Sequence, residues 1–341
     1  MRPGIGLPKP VGPYIQIADM TPAAPQPLIS RYCLKARGRL NAISKRHAFQ
    51  GALIQLDGGF GCIHPWPELG DPPLEKCLAD LAGARRWPIV RRALRCAEYD
   101  REARKFDHSL FEEMEVPQSH ATLTSRDPSQ LALAVEAGFS TVKLKTGHNP
   151  EADAKFLDAM TAEFPALRWR LDFNELLEPE EAAEFLLGLA EKTRAAIEFV
   201  EDPCPYSEAA WSELHRKTRV PLAVDREAAP LSSAAQVMVV KPAVDEPFLL
   251  AEAALRHRQR VVLTSYMDHP VGQTFAAWEA ARLELQFPGL VGLCGLQTHL
   301  LFEPDAFTEM LGAWSPVFQV PEGRGLGFDD LLEALPWTRS F

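Results

Sequence analysis

The chain has 341 residues, 46% of them hydrophobic and 24% charged, and 46 acidic side chains against 36 basic ones leave a formal net charge of −10. A chain of that length and balance fills one large barrel or two ordinary domains, and disordered or fibrous classes are excluded. No run of roughly 18 apolar residues offers a membrane span, MRPGIGLPKPVGPY at the N-terminus lacks an apolar signal core, and no Lys/Arg block suits nucleic acid.

The expectation is a cytoplasmic protein acting on a small molecule, with no nucleic-acid or membrane partner. Residues 1–116 read as an α+β capping domain: β-like runs at 33–35 and 52–56, a turn at Gly58 and Gly59, and helical stretches at 74–82 and 89–104. The six cysteines (Cys33, Cys62, Cys77, Cys96, Cys204, Cys294) form no CxxC pair, so neither a zinc ribbon nor a disulfide framework is expected. From 117 to 300, short β-rich runs alternate with amphipathic segments. The first run, 120–124, precedes Asp127-Pro128, a capping residue with proline in the first helical turn, and a helix ending at Gly138. Further runs at 141–145, 168–172, 197–201, 221–225, 237–241, 261–265 and 291–296 bring the count to eight. Helices separate them, except for a short turn at Ser232 and Ser233. Eight strands so spaced predict a TIM-type (β/α)7β barrel rather than a doubly wound sheet. Residues 301–341, rich in Pro and Gly with one helical stretch at 331–335, are expected to pack back on the cap.

In such a barrel the active site lies at the C-terminal ends of the strands. Lys145, Asp172, Glu201, Asp225 and Lys241 each end an apolar run. Three carboxylates on consecutive strands, without His or Cys, make a hard oxygen site suited to Mg²⁺, with Mn²⁺ as a substitute. Lys145 and Lys241 belong to strands two and six, on opposite sides of the barrel, a placement suited to proton transfer. Lys143 shares a strand face with Lys145, and its charge should lower the Lys145 pKa. A lysine so tuned can take a proton from carbon next to a carboxylate while Mg²⁺ stabilises the enediolate. Arg170 shares a face with Asp172, and two roles stay open for it: binding a substrate carboxylate or pairing with a structural acid. His64, Trp66 and Glu68 belong either to a substrate-closing loop or to an aromatic packed on the barrel rim.

The motifs VKLK, RLDFN, EDP, VDRE and VVKP, with spacings of 27, 29, 24 and 16 residues from Lys145 to Lys241, resemble the enolase superfamily, muconate lactonizing enzyme subgroup. A lysine base working with Mg²⁺ is that superfamily's known arrangement. The segment GCIHPWPELGD at 61–71 and Arg170 are most similar to the o-succinylbenzoate synthase family of menaquinone biosynthesis. The resemblance implies a hydro-lyase that converts 2-succinyl-6-hydroxy-2,4-cyclohexadiene-1-carboxylate to 2-succinylbenzoate by syn elimination. It implies Asp172, Glu201 and Asp225 as metal ligands, Lys145 as base and then acid, and Lys241 as the enediolate-stabilising cation. Lys143, Arg170, Asn174, Thr264, Ser265, Cys294 and Gly295 fall to the substrate's surroundings. The alternative within the superfamily is an N-acylamino acid racemase or dipeptide epimerase, because two lysines flanking one carbon can protonate either face. Two departures from the family pattern stand out: Arg226 then Glu227 after Asp225, and Thr264-Ser265-Tyr266-Met267-Asp268 in place of a run of serines.

Overall fold

The structure, a computed structural model, describes residues 27–339 apart from 39, 41–43, 45 and 226–232. Strands β1 (Leu28–Lys35), β2 (Ala48–Leu56) and β3 (Gly59–Ile63) form an antiparallel meander. The turn between β2 and β3 places Asp57 and Gly58 at φ of 50° and 86°, the positive-φ geometry that an Asp-Gly hairpin favours. Two glycines hide β3 from a propensity reading, and packing explains both. A Cβ on Gly59 would lie 2.1 Å from the Ala97 carbonyl oxygen, and one on Gly61 2.2 Å from that of Ala93. Both carbonyls belong to helix α2 (Pro88–Lys105), which follows α1 (Leu74–Leu81) and lies directly on the strand.

The second part alternates strand and helix: β4 (Ala121–Leu123), α3 (Pro128–Glu136), β5 (Thr141–Lys145), α4 (Pro150–Glu163), β6 (Arg168–Asp172), α5 (Pro179–Gly188), α6 (Glu191–Ala196), β7 (Ile197–Glu201), α7 (Glu208–Thr218), β8 (Leu222–Val224), β9 (Val237–Val240), α8 (Pro247–His257), β10 (Arg260–Leu263) and α9 (Pro270–Gln286). Proline opens several of these helices, where its missing N–H costs nothing. Asp127 and Asn149 cap α3 and α4 by accepting from the backbone N–H of Ser129 and Ala152. One expected helix between β6 and β7 is two. Leu189 turns extended after Gly188, and Asp158 accepts a hydrogen bond from the Ala190 N–H at 3.1 Å before α6 begins.

Strands β4 to β10 form one parallel seven-stranded sheet in chain order. Residues 291–296, expected as an eighth strand, make only isolated bridges, but they do so on both sides. Val291 and Gly295 pair with Val261 and Thr264, and Cys294 pairs with Ser119. The Cys294 carbonyl accepts from the His120 N–H at 2.8 Å. The sheet therefore closes into a barrel. Phe199, Ala223, Val237, Val239 and Val262 fill its interior, while the larger core lies between sheet and helices.

After the barrel come α10 (Ala306–Met310), α11 (Asp329–Glu333) and β11 (Thr338–Arg339). The short β11 pairs with β1 and completes the four-stranded sheet. Asp100 of α2, fully buried, accepts from the backbone N–H of Phe60 (2.9 Å) and of Leu326 (2.7 Å) and from Arg104 Nε (2.6 Å), joining β3, α2 and the final segment. Arg92, also buried, binds the barrel: Nε donates to the Pro242 carbonyl at 2.9 Å, and the guanidinium pairs with Glu246 and Glu279.

Candidate functional site

Alternation along β5 turns Lys143 and Lys145 to the barrel interior, and the ends of β6 and β7 add Asp172 and Glu201. Asp225 follows β8 and Lys241 follows β9. All six line one cavity at the C-terminal ends of the strands, together with Asn174, Thr264, Ser265 and Gly295. Lys143 Nζ lies 2.7 Å from both carboxylate oxygens of Glu201 and 3.0 Å from Asp172 Oδ2. Lys145 Nζ is 3.5 Å from the same Asp172 oxygen, and Lys241 contacts Asp225. In the order of eight strand positions β5 and β9 stand four apart, so Lys145 and Lys241 approach the cavity from opposite sides.

Burial sets the charge states. It pushes the Lys145 pKa down; Asp172 opposes the shift and Lys143 reinforces it. The direction is the one expected from sequence, but loss of water outweighs the neighbouring charge as its cause. For Lys143 burial also favours the neutral amine, yet Asp172 and Glu201 together outweigh it and hold its pKa above the usual lysine value. Asp172 is held below the usual carboxylate range: burial works against its ionisation, and Lys143 and Lys145 prevail. Burial raises Glu201. Asp202 rises through burial and the charges of Asp225 and Glu201.

Asp202 is the acid that sequence reasoning passed over. Its Oδ1 accepts from the Asp225 N–H at 3.1 Å, and its backbone sits at φ 42°. Among the described residues, Glu201, Asp202 and Asp225 form the group whose carboxylate oxygens lie within 4.8 Å of one another, with Asp172 across Lys143. The available signal was its place in Glu-Asp-Pro at a strand end. The four acids, which offer only oxygen ligands and whose charge exceeds that of the three lysines, could hold a hard cation.

Two residues expected around the substrate lie elsewhere. Arg170 does face the barrel interior, but one pleat below Asp172 and fully buried. Its Nε and Nη2 donate to Glu198 at 2.9 and 3.0 Å, its Nη1 to His120 Nδ1 at 2.7 Å and to the Leu293 carbonyl at 2.8 Å, and its plane stacks on Phe199. The structural acid is Glu198. Cys294 alternates with Gly295 and so points outward into the sheet–helix core, its Sγ donating to the Gly292 carbonyl. Trp66 is a buried anchor rather than a mobile lid residue, its indole N–H donating to the Tyr266 carbonyl at 2.9 Å. His64 pairs with the Tyr32 hydroxyl and Glu68 with Arg46. The cap reaches the cavity through Leu69, in the turn after Trp66. Arg226, Glu227 and Ser232 lie outside the described residues.

Comparison with known proteins gives matching results for the two parts. The model described as the N-terminal domain of O-succinylbenzoate synthase matches residues 27–103, and the one described as enolase C-terminal domain-like matches 128–245. An o-succinylbenzoate synthase of Bdellovibrio bacteriovorus is 33% identical over 320 residues, covering 90% of this chain and 96% of its own. Among solved structures, a dipeptide epimerase of Enterococcus faecalis complexed with Mg and L-Leu-L-Tyr has a TM-score of 0.74 at 16% identity, covering 89% of this chain and 99% of its own. An N-succinyl Arg/Lys racemase of Bacillus cereus has the same TM-score at 18% identity, covering 92% and 97%. The structural neighbours share the fold; the sequence relatives and the two family models reach further, and on those grounds the chain belongs to the enolase superfamily as an enzyme most like its o-succinylbenzoate synthases.

Proposed function

We propose that the protein is an o-succinylbenzoate synthase: a Mg²⁺-dependent, cytoplasmic lyase of menaquinone biosynthesis that dehydrates 2-succinyl-6-hydroxy-2,4-cyclohexadiene-1-carboxylate to 2-succinylbenzoate. The observation that carries it is the family match through the cap, residues 27–103. The barrel is shared with epimerases and racemases and so supports only the common chemistry. The cap also supplies Leu69 to the cavity.

In this reading Asp172, Glu201 and Asp225, with Asp202 beside them, hold the cation. When bound, the cation draws charge from the substrate carboxylate and makes the adjacent C–H more acidic. Lys145 Nζ, which burial biases toward the neutral amine, takes that proton. The ammonium so formed gives it to the hydroxyl leaving from the same face, and water departs as the ring becomes aromatic. Lys241, charged beside Asp225, stabilises the negative charge that develops on the substrate in between. Lys143 stays protonated and keeps Asp172 and Glu201 in place.

Purified protein with Mg²⁺ and the cyclohexadiene substrate should form the aromatic product, and EDTA should stop it. The second reading, an N-acylamino acid racemase or dipeptide epimerase, is favoured by the two lysines on opposite sides of the cavity. It gains ground if no aromatic product forms while N-acyl amino acids or dipeptides exchange their α-proton in deuterated water.

A further inference from the structure

His120 precedes β4 and lines the cavity. Nothing in the sequence motifs marks it. Its ring is held from behind: Arg170 Nη1 approaches Nδ1 at 2.7 Å. A guanidinium has only donors, so Nδ1 must be the acceptor and the single ring proton sits on Nε2. A proton on Nδ1 would face the arginine N–H across that distance. Glu198 fixes Arg170 in turn by two hydrogen bonds, so tautomer and ring orientation are set by a chain from the partly exposed Glu198 through the buried Arg170 to His120.

The front of the ring is open. The His120 atoms nearest to Gly295 are Cε1 and Nε2, 2.8 and 3.0 Å from where a Cβ on that glycine would stand, and Gly295 is part of the cavity wall. Among the described residues Nε2 has no hydrogen-bond partner. On the other side of Gly295, the Thr264 Oγ1 is buried without a partner as well. These two groups lie on the wall formed by β4, residues 291–296 and β10, opposite the carboxylates that end β6, β7 and β8.

We propose that His120 is a substrate-binding residue: its Nε2–H donates a hydrogen bond to an acceptor oxygen on the part of the substrate remote from the acid cluster. The assignment rests on the synthase reading, in which that part is the succinyl arm. Two substitutions separate this role from simple support of Arg170. In His120→Gln the side-chain amide reaches the Nε2 position and keeps a donor there; in His120→Asn the amide oxygen reaches the Nδ1 position, satisfying Arg170 but losing the donor.

The measurement is steady-state kinetics of both variants and the wild type with the cyclohexadiene substrate, with thermal melting as a check on folding. A hydrogen bond to a charged or strongly polar oxygen corresponds to a loss on the order of 10- to 100-fold in kcat/KM. His120→Asn should show it mainly as raised KM, and His120→Gln should recover most of it. The reverse order, Asn active and Gln impaired, or wild-type KM in both, overturns the assignment. Absence of turnover by the wild type overturns the synthase reading, and the role of His120 with it. Independently of activity, long-range ¹⁵N correlations of the His120 ring should show the proton on Nε2; a proton on Nδ1 contradicts the inference.

Discussion

Replacing Arg170 by Met tests whether this arginine belongs to the frame or to the substrate. In the wild type all of its nitrogens are engaged, and the side chain has no exposed surface. Met fills much of the same volume over Phe199 but leaves Glu198, 16% exposed, with the half-exposed Arg260 at 3.6 Å as its only remaining ion-pair partner among the described residues. Breaking a buried pair from one side costs about 3–5 kcal/mol, and the partial exposure of Glu198 puts this one near the lower end. Two acceptors, His120 Nδ1 and the Leu293 carbonyl, lose their donor too, for about 1 kcal/mol more. The expected loss is about 4 kcal/mol, or roughly 6 °C in Tm for a chain of this size. The assay is chemical denaturation of Arg170→Met, Glu198→Leu and the double variant. The double variant should be more stable than Arg170→Met alone, with a coupling of about 2 kcal/mol or more. A loss below about 1 kcal/mol together with additive effects would refute a structural role.

Further outcomes follow from the same packing. The Tyr266 hydroxyl donates to Asp71 Oδ2 at 3.0 Å, and the same oxygen accepts from the Trp66 N–H, so the two bonds hold the cap turn that carries Leu69. Tyr266→Phe should raise KM several-fold and leave kcat within about twofold, with about 1 kcal/mol lost in stability; an unchanged KM would show that the turn needs no such tie. Asp268 is pushed by burial from 3.8 to about 7. Between about pH 4 and 7 the folded protein keeps a proton there that the unfolded chain releases, so this group's contribution falls as pH rises, by about 1.4 kcal/mol per pH unit. Asp268→Asn removes that slope, so denaturation at pH 5 and pH 8 should find it gaining on the wild type at the higher pH, and an equal difference at both would contradict the assignment.

The barrel was legible because its strands are short apolar runs closed by charged residues, and every regular strand from β4 to β10 overlaps an expected run. The cap was less so. Gly59 and Gly61 suppress β propensity in β3, and β11 is strand only because β1 lies beside it. The site's charged residues share the same legibility: strand-end position brought Lys143, Lys145, Asp172, Glu201, Asp225 and Lys241 to one cavity. Arg170 could not be settled in that way. Its partner becomes available through a register shift, in which Trp169 pairs with Ile197 but Arg170 with Phe199, leaving Glu198 between them. Cys294 went astray by one residue of alternation next to Gly295, in a stretch too irregular to carry a strand period. His120 carried no signal, because its role depends on an arginine fifty residues away.

The central claim is that Lys145 serves as the base of a metal-dependent dehydration in this cavity. Turnover of the cyclohexadiene carboxylate by the wild type and by Lys145→Ala, followed as aromatic product with and without Mg²⁺, tests it most directly. The wild type should form 2-succinylbenzoate only with the metal, and the folded variant should lose at least a thousandfold of that rate, in line with removal of a general acid–base group. A variant within tenfold of the wild type would contradict the claim.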